Sequence, residues 1–186
     1  MEFIRTEIPE VVLVRPRVFR DARGYFFESY NKKVFDEALG PLEFVQDNQS
    51  RSVYGVVRGL HYQKGEASQA KLVHVISGTV LDVAVDLRRG SPTFGRHVAV
   101  ELSAESGLML FIPRGFAHGF SVLSEEAVFQ YKCDNPYNPA AEGAVAWDDP
   151  ALGIDWRIPR EAVILSEKDR RHPRLADVTD LFDYAE

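Results

Sequence analysis

The chain has 186 residues, of which 45% are hydrophobic and 27% are charged, and its formal net charge is −6. A chain of this length and composition is expected to fold as one globular domain over residues 1–186 with a sizeable core, which excludes disordered and fibrous proteins. The 28 acidic residues outnumber the 22 basic ones, so the chain lacks the electrostatic character of a general nucleic-acid-binding protein.

The sequence also indicates a cellular compartment. The single cysteine, Cys133, cannot form an intrachain disulfide, which favours a reducing cytoplasm. The first residues lack the basic and then apolar pattern of a signal peptide. The longest apolar runs, such as 108–112, fall far short of the ~18 residues of a membrane span, so no membrane association is expected.

Short apolar or alternating runs rich in Val, Phe and Tyr recur along the chain, and Gly, Pro, Asn or Ser separates many of them, as is typical of strands and tight turns. In chain order, the runs are 11–14, 25–29, 42–46, 53–57, 71–75, 79–87, 97–102, 108–112, 127–131 and 143–147. About ten strands predict an all-β sandwich or barrel. One helix is predicted over 31–40, with Asn31 as its N-cap and Gly40 after its end. From about Pro159 onward, the composition favours short helical turns packed over the barrel.

Two of the five histidines occur in motifs. The segments RGLHYQ (58–63) and PRGFAHGF (113–120) resemble the two motifs of the cupin superfamily. The matching positions are Gly59, His61, Gly78, Pro113, Gly115 and His118. Two of the four metal ligands of a metal-binding cupin are replaced, the second histidine by Gln63 and the glutamate by Ala67 or Ser68. An amide is a poor ligand for zinc, iron or copper. We therefore expect a cupin-type jelly-roll β-barrel whose mouth is a polar cavity without a metal ion.

Seven segments in order extend the resemblance over nearly the whole chain: 21–31, 44–52, 56–73, 78–95, 111–125, 131–156 and 165–169. Together they resemble the dTDP-4-dehydrorhamnose 3,5-epimerase family. The resemblance implies a homodimer of cupin-type jelly rolls that uses neither a metal nor a nicotinamide cofactor. It also implies the substrate, dTDP-4-dehydro-6-deoxy-D-glucose, which is inverted at C3 and C5 to give the precursor of L-rhamnose.

The chemistry of such a reaction requires a base beside a ketone and an acid on the opposite face of the sugar ring. The resemblance implies His61 as the base, and imidazole titrates near working pH. It also places Asp169 as the carboxylate that would orient this imidazole. Tyr131 is implied as the acid, and Lys71 could stabilise the enolate oxygen electrostatically.

The resemblance further implies a set of substrate-binding residues. His118 would contact the sugar, with Asp82 as a possible partner. The predicted phosphate or sugar contacts are Arg23, Arg58 and Lys168, and the predicted polar contacts are Glu28, Gln46, Asn48 and Glu142. Phe26 or Tyr137 could stack on the thymine. Cys133 is expected to be buried and inert, and His74, His97 and His172 match no catalytic motif.

Three alternatives stay open at the level of sequence. A mono-epimerase that acts only at C3 or only at C5 would keep a similar histidine and tyrosine. A metal-dependent cupin isomerase or dioxygenase is disfavoured by the missing ligands. A non-catalytic cupin binding module would not need His61 or Tyr131.

Overall fold

In the computed structural model, residues 1–184 are described, and they form fifteen strands and one α-helix. The first part of the chain holds β1 (Glu2–Arg5), β2 (Val12–Arg15), β3 (Phe19–Asp21), β4 (Gly24–Phe26), α1 (Lys32–Leu39), β5 (Gln46–Val53), β6 (Val57–Gln63), β7 (Lys71–Ser77) and β8 (Thr79–Asp86). The second part holds β9 (Arg88–Arg89), β10 (His97–Ser103), β11 (Met109–Ile112), β12 (Phe116–Val122), β13 (Glu126–Cys133), β14 (Glu142–Ala144) and β15 (Phe182–Asp183).

Two antiparallel sheets face each other, as the predicted jelly roll requires. One sheet has six strands in the order β1-β2-β11-β7-β13-β5, and the other has five in the order β10-β8-β12-β6-β14. Val75 and Phe129 of the six-stranded sheet pack with Val80 and Phe120 of the five-stranded sheet in a common buried cluster. Because side chains alternate along a strand, the residues two positions farther along these strands also face the space between the sheets.

The outer face of each sheet is covered by a different part of the chain. Leu81 and Val83 of β8 face outward and pack with residues of the C-terminal segment, such as Leu175 and Phe182. The outer face of the six-stranded sheet is covered around Phe35, which lies on α1.

The predicted helix and the predicted C-terminal turns are confirmed. Asn31 caps α1, and its side chain accepts a hydrogen bond from the backbone N–H of Val34. Gly40 follows the helix at φ 89°, a left-handed conformation that glycine adopts without strain. Beyond Pro159 the chain forms short 3₁₀ turns at Arg160–Ala162, Asp169–Arg171 and Leu175–Asp177. The eight-residue α1 is the one α-helix of residues 1–184, and none of their helices is long and apolar enough to cross a membrane.

Two strands were predicted at the wrong positions. The apolar runs 42–46 and 53–57 suggested strands, but most of these residues form connections, and the strands are β5 and β6 beside them. Nearly all residues of β5 are polar, and β6 carries polar side chains such as Arg58 and His61 on the cavity wall while Leu60 and Tyr62 pack in a buried cluster. The alternation of hydrophobic and polar residues that marks a half-buried strand is therefore weak in this part of the sequence.

A pair of glycines brings β6 and β12 together beside the cavity. The register between the two strands shifts between His118 and Phe120. A Cβ atom added at Gly59, whose φ is 124°, would lie 2.6 Å from the Cα of Gly119, and one added at Gly119 would lie 2.7 Å from the backbone oxygen of Arg58. Glycine at both positions allows this close approach, and His61 and His118 are directly opposed beside it.

Candidate active site

A cavity of about 910 Å³ opens between the two sheets. Strands β5, β6, β7, β12 and β13 contribute to its walls, and the C-terminal segment after residue 165 forms part of its rim. Nine of the predicted site residues line it: Asn48, Arg58, His61, Lys71, His118, Tyr131, Glu142, Lys168 and Asp169. The fold thus brings residues that are up to 121 positions apart in the sequence, from Asn48 to Asp169, to one polar cavity.

His61 and Asp169 form a hydrogen-bonded pair at the wall formed by β6. The Nε2–H group of His61 donates to Oδ1 of Asp169 at 2.6 Å, and Ser166 Oγ donates to the other oxygen at 2.7 Å. The side chain of His61 is 42% exposed and that of Asp169 only 6%. Burial raises the pKa of Asp169, but the hydrogen bonds from His61 and Ser166 outweigh this effect, and the pKa of the carboxyl lies below its usual value. The buried carboxylate holds one ring nitrogen of His61, which leaves Nδ1 as the nitrogen free of Asp169.

A second histidine–carboxylate pair lies beside the first. His118 on β12 is directly opposite His61 on β6 in the strand register. Nε2 of His118 lies 3.1 and 3.0 Å from the two carboxylate oxygens of Asp82, and both side chains are buried. Burial lowers the pKa of His118, although the charge of Asp82 acts in the other direction. Asp82 is thus the partner that sequence analysis could name only as a possibility.

The opposite wall carries Tyr131 and Lys71. Tyr131 on β13 packs against the core cluster between the sheets, and it is directly opposite Asn48 on β5. The ammonium nitrogen of Lys71 lies 5.7 Å from the centre of the Tyr131 ring. Burial raises the pKa of Tyr131 and lowers the pKa of Lys71. Burial therefore favours a phenol that keeps its proton and a lysine that loses its proton more readily than in water.

Cys133 follows Tyr131 by two positions on the same strand and is fully buried. Burial raises the pKa of its thiol to about 11. The expected burial of this cysteine is confirmed, and its environment favours the protonated thiol, which is a poor nucleophile.

The cavity rim combines charges of both signs. Lys168 forms an ion pair with Glu142, and Tyr137 Oη donates a hydrogen bond of 2.8 Å to the same carboxylate. Hydrogen bonds from Lys168 and Tyr137 lower the pKa of Glu142. Arg58, which is exposed, donates from Nε to the hydroxyl of Ser52 at 3.1 Å. Arg58 and Lys168 are therefore cations at the edge of the cavity with access to solvent.

Four predicted binding residues do not line this cavity: Arg23, Phe26, Glu28 and Gln46. Arg23 is 90% exposed and pairs with Asp21 of the same hairpin. Gln46 lies just behind the wall, where it donates to Asn48 at 2.9 Å and accepts from the backbone N–H of Tyr137 at 2.9 Å. It therefore supports the wall, whereas Arg23, Phe26 and Glu28 are exposed residues outside the cavity lining of their own chain.

The ligand set of a metal-binding cupin is not present in this cavity. Of the four ligand positions, only His61 and His118 carry imidazoles, and both rings are bonded to carboxylates. The side-chain oxygen of Gln63 accepts a hydrogen bond from the backbone N–H of Asn138 at 2.7 Å. Ala67 and Ser68 lie at a short 3₁₀ turn. These donors do not fit the metal site of the superfamily.

Ser166 and His172 line the cavity but were not among the predicted site residues. His172 lies three positions after Asp169, and its ring meets that of His61 edge-on, with the ring centres 5.3 Å apart. Its Nδ1 atom lies 3.8 Å from Oδ1 of Asp169. The spacing of three residues within a turn was the available signal, but it acquires meaning only once Asp169 is known to reach His61.

Comparison with known proteins agrees with this geometry. Residues 5–177 match the family model of dTDP-4-dehydrorhamnose 3,5-epimerase. The epimerase of that name from Pseudomonas aeruginosa is 56% identical over 178 residues, which cover 95% of this chain and 97% of that protein.

Two solved structures are also similar. The crystal structure of dTDP-4-dehydrorhamnose 3,5-epimerase from Elizabethkingia anophelis has 55% identity and a TM-score of 0.92, covering 95% of this chain and 97% of the other. The second is the crystal structure of dTDP-6-deoxy-D-glucose-3,5-epimerase from Legionella pneumophila in complex with dTDP-4-keto-L-rhamnose. It has 47% identity and a TM-score of 0.96, covering 100% of this chain and 99% of the other. These similarities confirm the predicted cupin-type jelly roll, and the chain belongs to the dTDP-4-dehydrorhamnose 3,5-epimerase family.

Proposed function

We propose a division of roles among the cavity residues for the reaction of this enzyme, which inverts C3 and C5 of dTDP-4-dehydro-6-deoxy-D-glucose. The observation that carries the proposal is that His61 and Tyr131 line one cavity from opposite sheets. Inversion at a carbon beside a ketone needs proton removal from one face and proton delivery to the other. A base and an acid on opposite walls meet this requirement.

His61 is the proposed base at both carbons. Its Nε2–H is held by Asp169, so the lone pair of Nδ1 can accept a proton, and the buried carboxylate stabilises the imidazolium that forms. Asp169 is a positioning residue, because it acts through His61. Ser166 in turn fixes the carboxylate from its other side.

The proton removed in this reaction is a weak acid, so the cavity must stabilise the enolate. An α-proton of a ketone lies roughly a dozen pKa units above imidazole, which corresponds to about 15–20 kcal/mol at ~1.4 kcal/mol per unit. Lys71 carries the positive charge that would stabilise the enolate oxygen. His118, held by Asp82, contacts the sugar beside His61. The same ketone activates both C3 and C5, so one set of groups serves both inversions.

Tyr131 is the proposed acid on the opposite wall. Its hydroxyl keeps its proton because burial raises its pKa. A phenol of this acidity is still a stronger acid than the ketone, so it can protonate an enolate. Asn48 from the neighbouring strand lies beside it and contributes a polar contact to the sugar.

The nucleotide part of the substrate would bind at the charged rim. Arg58 and Lys168 are the cations of this rim, and a guanidinium matches phosphate oxygens with two hydrogen bonds. Glu142 already pairs with Lys168, so binding of the diphosphate would exchange one anion for another. Tyr137, half exposed at the same rim, offers a ring for the thymine.

We further propose that the chain acts as a homodimer in which the β3–β4 hairpin reaches the partner's cavity. The hairpin exposes Phe19, Tyr25 and Phe26 at 51%, 58% and 70%, and such a cluster of exposed aromatic rings is typical of an interaction surface. Arg23 and Glu28, two further predicted contacts outside the cavity, lie on or next to this hairpin. An exchanged hairpin would bring these residues to the substrate.

Mixing two variants that are each expected to be inactive on their own tests the hairpin proposal. Arg23→Ala and His61→Ala chains are denatured together and refolded. If the hairpin serves the partner's cavity, about a quarter of the sites become intact, since half of randomly formed dimers are mixed and each mixed dimer has one intact site. If mixing restores no activity although light scattering shows dimers, the hairpin does not serve the partner.

The overall reaction is tested by an NMR time course with the 4-keto sugar nucleotide in deuterated buffer. Deuterium should enter at both C3 and C5, and the product should have the L-rhamno configuration. Incorporation and inversion at one carbon alone would identify a mono-epimerase. No incorporation at either carbon would favour a binding module.

A further inference from the structure

His172 is a buried imidazole without hydrogen bonds. Its side chain is 7% exposed, and neither ring nitrogen has a hydrogen-bond partner among residues 1–184. Buried polar atoms in folded proteins are nearly always paired, so an unpaired imidazole beside a catalytic pair calls for a physical explanation.

The surroundings of His172 supply the other donors of a metal site. One donor atom each from His61, Asp169 and His172 lies within 4.8 Å of the others. Two imidazoles and one carboxylate form a common protein ligand set for zinc, with an open fourth position. Zinc–ligand distances of about 2.0–2.2 Å place two donors of one ion roughly 3.3 Å apart. The present separations of 2.6 Å and 3.8 Å from Oδ1 of Asp169 lie on either side of that value.

The carboxylate and the path to it are already in place. Ser166 holds Oδ2 of Asp169 at 2.7 Å, which leaves Oδ1 directed at both histidines. Hydrogen bonds of this kind orient metal ligands and strengthen binding. The side chain of His61 is 42% exposed in the cavity, so an ion can reach it from the cavity.

We propose that His61, Asp169 and His172 form an inhibitory binding site for zinc or a similar divalent transition-metal ion. The ion binds Nε2 of His61 in place of the hydrogen bond to Asp169. A neutral imidazole has one N–H group, so the proton on Nε2 passes through solvent to Nδ1. Nδ1 of His61, which accepts the substrate's proton in the proposed reaction, then carries a proton itself. His61 can no longer act as the base, although its imidazole remains neutral.

This site differs from the metal site of the cupin superfamily in its ligands and its effect. It uses two residues of the C-terminal segment, Asp169 and His172, where the superfamily site uses barrel residues. The predicted inhibition rests on the proposed role of His61 as the base, whereas the predicted metal binding does not depend on that role. Binding and inhibition are therefore measured separately.

Binding is measured first, with Co²⁺ as a spectroscopic probe and Zn²⁺ as its competitor. The wild-type protein should bind one Co²⁺ per chain with the visible absorption of a four-coordinate ion, and Zn²⁺ should displace it. His172→Phe keeps the ring that packs on His61 but has no nitrogen, and it should bind both ions at least about tenfold more weakly. His172→Ala provides a second variant, and His97→Ala, at a histidine outside the cavity lining, is the matched control.

Inhibition is measured second, as the rate with Zn²⁺ divided by the same variant's rate in a chelator. Zn²⁺ should inhibit the wild type and His97→Ala equally. The Zn²⁺ concentration that inhibits them should be about tenfold lower than the concentration that inhibits His172→Phe. Excess chelator should reverse the inhibition. In ¹⁵N spectra of the zinc-loaded protein, the proton of His61 should lie on Nδ1. Equal zinc affinity of His172→Phe and the wild type would overturn the site. Alternatively, zinc could bind through His172 and yet leave the rate and the tautomer of His61 unchanged. That result would overturn the proposed inhibition and would leave the proposed epimerase mechanism unaffected.

Discussion

His61 on β6 and Tyr131 on β13 belong to different sheets and line the same cavity. The five-stranded sheet presents the imidazole with its carboxylate, and the six-stranded sheet presents the phenol with Lys71 beside it. A sugar ring bound between the sheets would therefore have a base on one face and an acid on the other. Under the proposed roles of His61 and Tyr131, the two facing sheets would allow inversion by placing base and acid on opposite walls.

Replacing Tyr131 by Phe should separate proton removal from inversion. The change keeps the ring and removes only the hydroxyl, so packing in the core cluster is preserved. His61 can still remove the proton, and deuterium can return to the original face. Inversion should fall by about 10²–10⁴-fold, the usual contribution of general acid catalysis. The measurement is the ratio of deuterium incorporation to epimerised product, which should rise clearly above that of the wild type.

Two other outcomes for this variant would be informative. If incorporation and inversion fall by the same factor, Tyr131 assists enolate formation or substrate placement and is not the acid of the second face. If neither falls, Tyr131 is a core residue only, and the acid is another group of the cavity.

Replacing Asp169 by Asn should reduce exchange at C3 and C5 together. The amide has nearly the same shape as the carboxylate but cannot stabilise the imidazolium, and it favours the wrong tautomer of His61. We expect kcat to fall by about 10²–10⁴-fold with a much smaller change in KM. Asp82→Asn is the comparison, because it changes the neighbouring pair with His118. A loss confined to KM would show that Asp169 serves binding alone.

Lys71 should set the alkaline limit of the reaction. Burial lowers its pKa from the ordinary value of 10.5, so the ammonium that stabilises the enolate is lost at a lower pH than for a lysine in water. The rate should therefore decline with rising pH before the ordinary lysine pKa of 10.5 is reached. Burial shifts the pKa of Tyr131 in the opposite direction, upward from 10.0, so the tyrosine loses its proton at a higher pH than it would in water. In Lys71→Arg, any remaining activity should persist to higher pH, and an unchanged profile would remove Lys71 from this role.

Removal of metal ions should not lower the rate. The cupin ligand positions at Gln63 and Ala67 or Ser68 carry no metal-binding side chain, and the two remaining histidines are bonded to carboxylates. Extensive dialysis against a chelator is the test, with turnover measured before and after. A loss of activity that one specific divalent ion restores would contradict this prediction, whereas relief of zinc inhibition would raise the rate.

Several strands that face the apolar core could be predicted from the sequence, although β12 (Phe116–Val122), which is buried throughout, was not among the predicted runs. The alternation in 79–87 corresponds to β8, whose inner and outer faces are both buried. The prediction of strand positions failed at β5 and β6, because the faces of these strands that line the polar cavity carry side chains such as Asn48 and His61. The apolar runs 71–75 and 127–131 did predict β7 and β13, which carry Lys71 and Tyr131, whereas the strands that carry Asn48 and His61 were misplaced.

Some residues of the site could be predicted from the sequence, and others could not. His61 and His118 could be found from local motifs, because glycines and prolines at fixed spacing surround them. The resemblance to the family supplied Asp169, which lies 108 positions after His61. His172 could not be assigned, because its importance depends on a contact between the C-terminal segment and β6 that no local pattern encodes.

The most direct test of the account is hydrogen exchange by His61→Ala in deuterated buffer, followed separately at C3 and C5. Circular dichroism and dTDP binding would confirm that the variant is folded and that its cavity is accessible. We predict that the wild type incorporates deuterium at both carbons and that the variant incorporates none at either carbon beyond the rate without enzyme. Exchange that persists at C3 or at C5 in the variant would contradict the account, because another residue would then remove the proton at that carbon.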